Sequence, residues 1–146
     1  MTKTSIYLIR HGECAGNKEN RVRGRVDFPL NENGMAQAEA LALAMMDKGL
    51  AHVYSSPLKR ALTTAETISR VCGCGLSSDD SFSNIRLDPW QGRLKSEIAA
   101  SEPELWNTWI SDPESLVLDG AETLDQVMER SLAGLQRLME KHKGET

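Results

Sequence analysis

The sequence lacks the long hydrophobic runs that would place a chain in a membrane. No apolar stretch approaches the roughly 20 residues that a membrane-spanning helix requires. The first residues also lack the charged and then apolar pattern of a secretion signal. We therefore expect no membrane-spanning segment and no membrane partner.

Cysteine is scarce as well. The three cysteines, Cys14, Cys72 and Cys74, are an odd number, and one glycine separates the last two. This spacing suits neither a disulfide framework nor the usual zinc ligands. We expect three reduced thiols in a cytoplasmic protein, with no metal site and no cofactor.

Basic residues are not in excess. The 146 residues include 17 Lys and Arg against 21 Asp and Glu, a formal net charge of -4. Nucleic acids and anionic membranes bind basic surfaces, so this balance argues against either partner. The hydrophobic share of 40% is ordinary for a globular protein, and the length predicts a single domain over residues 1–146.

The most informative stretch is Ile6–Ile9, which is followed by Arg10, His11, Gly12 and Glu13. Four consecutive apolar residues predict a short strand that is buried on both faces. In open α/β sheets, ligands bind outside the carboxyl ends of the strands. The sequence therefore places a fixed cation and a potential nucleophile where such a fold binds its ligand.

Residues 14–30 predict a long loop, which inside a compact domain is more often functional than idle. The cations between Lys18 and Arg25 form either a solvated surface or part of a ligand site. The residues of interest in this loop are Asn17, Arg21, Arg23, Gly24, Arg25 and Asp27.

Strands and helices alternate along the rest of the chain. Apolar periodicity and turn residues predict helices over 31–49, 57–72, 95–101, 103–111 and 122–142, with strands over 51–55 and 75–81. This alternation predicts an α/β fold whose mainly parallel sheet is covered on both faces. Trp106 and Trp109 either cover its core or form a wall of a substrate pocket.

The second predicted helix starts with a clear signal. Ser56 is a good N-cap, and Pro57 suits the first helical position. Arg60 then lies in the first turn, just beyond the carboxyl end of a strand. It either faces the crevice near His11 or is an exposed helix arginine.

Taken together, these blocks resemble the histidine phosphatase superfamily, and more narrowly its phosphoglycerate-mutase-like branch. The strong matches are Leu8–Glu13, Arg23–Gly24 with Asp27 and Leu30–Gly34, and Ser55–Ala61, and the weaker ones are Trp90–Gly92 and Gly120–Thr123. They follow in register along nearly the whole chain. The resemblance implies a three-layer α/β/α fold with a mainly parallel sheet.

The resemblance also implies the catalytic roles. It assigns His11 as the nucleophile that becomes a phosphohistidine, which divides one difficult displacement into two easier ones. It assigns Arg10 and Arg60 as clamps, because a planar guanidinium binds two phosphoryl oxygens at once. No metal is required, since these arginines neutralise the phosphoryl charge.

Three further residues and one glycine complete the implied site. Asn17 would add a neutral hydrogen bond to the phosphoryl group. Arg23 and Gly24 would line the substrate side of the pocket. Glu13 would orient either the loop or His11.

The sequence departs from the family at its second histidine. Family members carry that residue on a strand after the long helix that ends here near His142, and this sequence ends at Thr146. We expect a C-terminally truncated domain that lacks that strand, with roughly 40–60 residues absent. His52, at the amino end of its strand and away from the crevice, and His142 are expected to be surface or packing residues.

A second departure concerns the proton donor. Asn84 takes the place of the usual Glu or Asp before the Trp-x-Gly turn, and an amide cannot act as a general acid. Asp88, Glu97 or protonation by the substrate itself are the alternatives.

The expected function is a phosphomonoester phosphatase that acts through phosphohistidine on a small phosphorylated metabolite. The alternatives are mutase-type phosphoryl transfer and a non-catalytic domain that binds a phosphate ligand. Besides the phosphorylated substrate, a second copy of the chain is a candidate partner.

Overall fold

The computed structural model describes residues 3–146 as an α/β fold. The elements in chain order are α1 (Ala15–Lys18), α2 (Glu32–Met45), β1 (His52–Ser55), α3 (Lys59–Cys72), β2 (Gly75–Ser78), α4 (Lys95–Ser101), α5 (Pro103–Ser111) and α6 (Leu124–Lys141). Short 3₁₀ turns cover Met46–Lys48, Asp80–Phe82 and Pro113–Ser115. None of the helices described is long and apolar enough to cross a membrane.

The sheet follows the predicted alternation. β1 and β2 run parallel, with His52 opposite Gly75 and Ser55 opposite Ser78. The connecting helix α3 packs on both strands, and α2 packs on α3. The predicted α/β class with a parallel sheet is therefore confirmed, although β2 ends three residues earlier than predicted.

The stretch Ile6–Ile9 is not the buried strand that its sequence predicts. It adopts no regular secondary structure, and its side chains are exposed, Leu8 to 89% and Ile9 to 40%. A strand buried on both faces needs hydrogen-bonded neighbours for its backbone. Within residues 3–146, however, the sheet consists of β1 paired with β2.

α2 begins and ends at residues that its sequence identifies. The side chain of Asn31 caps it by accepting a hydrogen bond from the Gly34 N–H at 2.8 Å. The chain continues beyond Met45 as a 3₁₀ turn and stops at Gly49, whose φ of 64° is left-handed.

α3 begins two residues later than predicted, at Lys59, and Ser56 does not cap it. The N-cap is Leu58, whose side chain makes no capping bond. Instead, the Asp27 carboxylate accepts a hydrogen bond from the Lys59 N–H at 2.7 Å. A residue 32 positions away thus caps the helix and joins the long loop to its first turn.

Two apolar clusters hold these elements together. One surrounds the fully buried Trp90, and both Trp106 and Trp109 pack against it, so these two tryptophans cover core. The other joins α2 to α3 through Ala42, Met45 and Ile68. Burial of these side chains is the main stabilising contribution to the arrangement that positions the site.

Candidate active site

A cavity of about 540 Å³ lies among α3, β1, α6 and residues 4–11. Its lining brings together five positions that the sequence analysis singled out. They are Arg10, His11, Arg23, Arg60 and Asn84. Residues from four separate segments therefore meet in one concave site.

His11 is held with one defined ring nitrogen free. Its Nδ1 lies 2.6 Å from the carbonyl oxygen of Gly12. A carbonyl oxygen can only accept a hydrogen bond, so Nδ1 carries the ring proton. In the neutral ring Nε2 is then unprotonated, and its lone pair is available for attack.

The surroundings of His11 favour that neutral ring. Partial burial lowers the pKa of His11 below its ordinary 6.5, while the hydrogen bond to the Gly12 carbonyl acts in the opposite direction. The positive charges of Arg60, Arg23 and Arg10 lower the pKa further. A neutral imidazole beside three guanidinium groups is suited to attack an anion that those groups bind, such as a phosphoryl group.

Arg60 lies at the start of α3 and is 1% exposed, so the alternative of an exposed helix arginine is wrong. Its Nη1 donates to the Val26 carbonyl at 2.8 Å, and its Nη2 donates to the Gly24 carbonyl at 2.9 Å. Burial lowers the pKa of Arg60 from its ordinary value, yet an arginine remains charged at neutral pH. Because a guanidinium has five N–H groups, these two bonds leave further donors for a ligand.

Arg23 carries an unsatisfied donor. Its Nε is buried and has no hydrogen-bond partner within residues 3–146. An unpaired buried N–H costs free energy, so this atom fits an anionic ligand that would accept its hydrogen bond. Arg10 also lines the cavity, and its side chain is exposed to solvent.

The loop that carries His11 lies directly on the start of α2. A Cβ added to Gly12 would overlap the Gly34 carbonyl oxygen and lie 2.9 Å from the Gly34 Cα. Glu13 reinforces this approach, because its Oε1 accepts a hydrogen bond from the Asn31 amide at 2.7 Å. Of the two roles considered for Glu13, the contacts therefore fit the orientation of the loop.

Asn17 lies in α1, a short helix inside the region predicted as loop. Its Oδ1 accepts hydrogen bonds from the Cys14 N–H at 3.2 Å and from the Cys14 thiol at 2.9 Å. Because Oδ1 makes both bonds to Cys14, the NH₂ group of Asn17 takes no part in them. Neither Asn17 nor Gly24 is among the residues that line the cavity, and Gly24 instead supplies a carbonyl that Arg60 binds.

Asn84 lines the cavity at the position predicted to replace an acid. Its Oδ1 accepts a hydrogen bond from the Ile85 N–H at 2.9 Å, and its backbone carbonyl accepts from Arg25 and Arg130, each at 3.3 Å. The backbone of Asn84 is therefore well anchored. Its amide can donate a hydrogen bond to a ligand but cannot protonate one.

The structure brings neither of the acidic alternatives to this cavity. Asp88 accepts a hydrogen bond from the Gln91 amide at 3.1 Å. Glu97 accepts from the Leu94 N–H at 3.1 Å and so caps α4. Both carboxylates are engaged elsewhere and are absent from the lining, which argues against either as the proton donor.

The far end of the cavity holds a polar cluster that the sequence analysis missed. The Tyr54 hydroxyl lies 2.8 Å from Nε2 of His142, whose Nδ1 lies 2.7 Å from the Glu145 carboxylate. Lys141 donates to the Tyr54 hydroxyl at 3.0 Å. Both His52 and His142 line the cavity, His52 at the amino end of β1, where its Nε2 lies 3.0 Å from the Ser77 hydroxyl oxygen. Tyr54 and His142 are 88 residues apart, and no local sequence pattern predicts a contact between β1 and the end of α6.

Thr64 is a second residue that the sequence analysis missed. Its Oγ1 accepts a hydrogen bond from the Gly12 N–H at 3.2 Å. The available signal was its spacing of four residues from Arg60, which places both side chains on one face of α3.

A comparison with known families identifies the class of protein. The chain belongs to the histidine phosphatase superfamily, branch 1, whose profile matches residues 6–146. The resemblance inferred from the sequence motifs is thereby confirmed.

Individual relatives match over nearly the whole chain. In Arabidopsis thaliana, phosphoglycerate mutase-like protein 4 is 35% identical over 143 residues, which cover 96% of this chain and 62% of the relative. The metal-independent phosphoserine phosphatase of the same species is 37% identical over 146 residues, covering 97% and 61%. The chain thus spans about three fifths of the length of these curated relatives.

A solved structure shows the same fold. The structure of Bacillus stearothermophilus YhfR superposes with a TM-score of 0.90 at 31% identity. The match covers 94% of this chain and 68% of the other.

Proposed function

We propose that the protein hydrolyses small phosphomonoesters through a phosphohistidine at His11. The observation that carries the proposal is the hydrogen bond from Nδ1–H of His11 to the Gly12 carbonyl. It leaves Nε2 unprotonated in a cavity that Arg10, Arg23 and Arg60 also line. The name of the Arabidopsis metal-independent phosphoserine phosphatase supports this class of reaction.

In the first step, Nε2 of His11 attacks phosphorus in line with the ester oxygen. The N–P bond forms, the O–P ester bond breaks, and the departing oxygen takes the electron pair and gains a proton. Arg10, Arg60 and the unpaired Nε–H of Arg23 stabilise charge on the remaining phosphoryl oxygens.

In the second step, water attacks the phosphorus of the phosphohistidine. The new O–P bond forms as the N–P bond breaks, which releases inorganic phosphate and returns the lone pair to Nε2. Nδ1 keeps its proton and donates it to the Gly12 carbonyl in a hydrogen bond throughout both steps, so the ring keeps a single reactive nitrogen. The arginines supply the charge neutralisation, and no step of this proposal uses a metal.

The proton for the leaving group comes from water or from the phosphoryl group of the substrate itself. Asn84 cannot supply it, and loss of a general acid typically slows a reaction about 10²–10⁴-fold. A good leaving group, which needs no proton, avoids this loss. The same observation favours a second candidate function, a domain that binds phosphate ligands without turnover.

Mutase activity is the close alternative, because a relative carries a phosphoglycerate-mutase-like name. In a mutase the phosphoryl group of His11 passes to a second hydroxyl of the substrate and not to water. Dependence on a bisphosphorylated primer distinguishes the mutase from the phosphatase.

The test compares two substrates in the presence of EDTA. Wild type should release phosphate from p-nitrophenyl phosphate faster than from phosphoserine, since the first leaving group needs no proton. H11A should abolish turnover of both substrates, whereas T67V, at a buried position of α3 that does not line the cavity, should turn over both like wild type. If H11A is as fast as wild type, the nucleophile assignment is wrong, and if wild type binds phosphate without any turnover, the binding-domain function replaces the phosphatase.

We also propose a second copy of the chain as a partner and the cytoplasm as its compartment. The exposed apolar side chains of Ile6, Tyr7 and Leu8 support self-association, because such a patch is typical of an interface. Light scattering on wild type and on L8E tests this proposal, since L8E should lower the average mass.

The three free cysteines, one of them fully buried, support a reducing compartment such as the cytoplasm.

A further inference from the structure

Thr64 joins the two segments that carry the proposed nucleophile and its main clamp. It lies on α3 and is 3% exposed. Its Oγ1 accepts a hydrogen bond from the Gly12 N–H at 3.2 Å and donates to the Arg60 carbonyl at 2.8 Å. The hydroxyl donates its only proton to the Arg60 carbonyl, so it can only accept the hydrogen bond from the Gly12 N–H.

Gly12 is the residue that decides which nitrogen of His11 is reactive. Its carbonyl accepts the Nδ1 proton, and its N–H is fixed by Thr64. The Gly34 backbone blocks movement of Gly12 on another side. A shift of Gly12 would move the carbonyl out of line with Nδ1, and the ring would then lose its preference for the Nδ1–H tautomer.

We propose that Thr64 is a positioning residue that sets the tautomer of His11 through Gly12. This inference rests on the proposed function for the role of His11 as nucleophile, but the tautomer itself does not depend on turnover. Thr64 also lines the cavity, one helical turn after Arg60, so it holds the nucleophile loop at a fixed place relative to the clamp.

A purely structural role for Thr64 has a matched control in the same helix. Thr67 is 5% exposed, and its Oγ1 donates to the Thr63 carbonyl at 2.9 Å, the same bond within α3 that Thr64 makes to Arg60. Thr67 has no hydrogen bond to the His11 loop among the described residues. T67V therefore removes the same helix bond and leaves Gly12 untouched.

The experiment measures ¹⁵N chemical shifts of the His11 ring and the rate of its phosphorylation by p-nitrophenyl phosphate. T64V, which keeps the volume of the side chain, should shift the tautomer away from Nδ1–H and slow phosphorylation about 10- to 100-fold. T64S should restore both readouts, and T67V should match wild type. If T64V does not fold, T64A provides the same comparison.

Two results would overturn the inference. One is a folded T64V or T64A protein with the ring shifts and phosphorylation rate of wild type. The other is a T67V protein that loses as much as T64V, which would make Thr64 a helix-stabilising residue. If wild type forms no phosphohistidine, the proposed function fails, and the ring shifts of T64V still decide the role of Thr64.

Discussion

Alanine at Gly12 should be far more destabilising than alanine at a glycine with open space. The added Cβ would overlap the Gly34 carbonyl oxygen and lie 2.9 Å from two other Gly34 backbone atoms, none of which can rotate away. Overpacking of this kind costs about 1–3 kcal/mol. Displacement of Gly12 would also leave its buried N–H without Thr64, at about 1–3 kcal/mol more. We expect G12A to lower the free energy of unfolding by about 2–6 kcal/mol.

The control for this substitution is G49A. Gly49 has a left-handed φ of 64°, and apart from its chain neighbours no atom of residues 3–146 lies within 4 Å of an added Cβ, so alanine there adds backbone strain without a clash. That strain costs about 1 kcal/mol. Urea unfolding of the three proteins should rank wild type, G49A and G12A in falling order of stability at similar m-values. If G12A is no less stable than G49A, the close approach of Gly12 and Gly34 does not hold the nucleophile loop.

Three further predictions follow from the structure. D27A should lower the melting temperature by the equivalent of about 1 kcal/mol, because the Lys59 N–H loses its cap, and an unchanged melting temperature would contradict that role. The pKa of His11 is lower in the folded protein than in the unfolded chain, so the unfolded chain binds a proton first as the pH falls below about 6.5. This proton uptake favours unfolding. In urea unfolding, wild type should therefore lose stability relative to H11Q between pH 7.5 and pH 5. The pKa of Glu122 is also lowered, because hydrogen bonds from Arg130 and from a backbone N–H outweigh the effect of burial. Wild type should therefore have a larger free energy of unfolding than E122Q above pH 4.5, and this difference should disappear in acid.

Local sequence signals predicted most of the helices but not every boundary. α4 and α5 have the predicted bounds, the latter because Pro103 marks its first residue. The predicted start of α3 is wrong because the capping group is Asp27, and no local sequence pattern reveals a cap that comes from a distant loop. The strand predicted over Ile6–Ile9 is wrong, because an apolar run indicates a tendency to be buried and does not supply the neighbouring strands that a buried strand needs.

The candidate site shows the same division. Arg10 and His11 follow the stretch predicted as a strand, and Arg60 lies at the start of α3 after β1, so the crevice rule for α/β folds predicts them in one place. They meet there although Ile6–Ile9 is not a strand. Thr64 and the polar cluster around Tyr54 depend on contacts between distant segments, and common residue types carry no signal for such contacts. The roles of the arginines and of His11 remain predictions from the family resemblance and the geometry.

The most direct test of the proposed mechanism is to identify the phosphorylated atom of His11. Protein trapped by rapid alkaline denaturation during turnover of p-nitrophenyl phosphate can be examined by ³¹P NMR, which distinguishes the two phosphohistidine isomers. Because the Gly12 carbonyl holds the proton on Nδ1, we expect acid-labile phosphate on Nε2 of His11 and none in H11A. Phosphate on Nδ1, on another residue, or on no residue while turnover proceeds would contradict the mechanism.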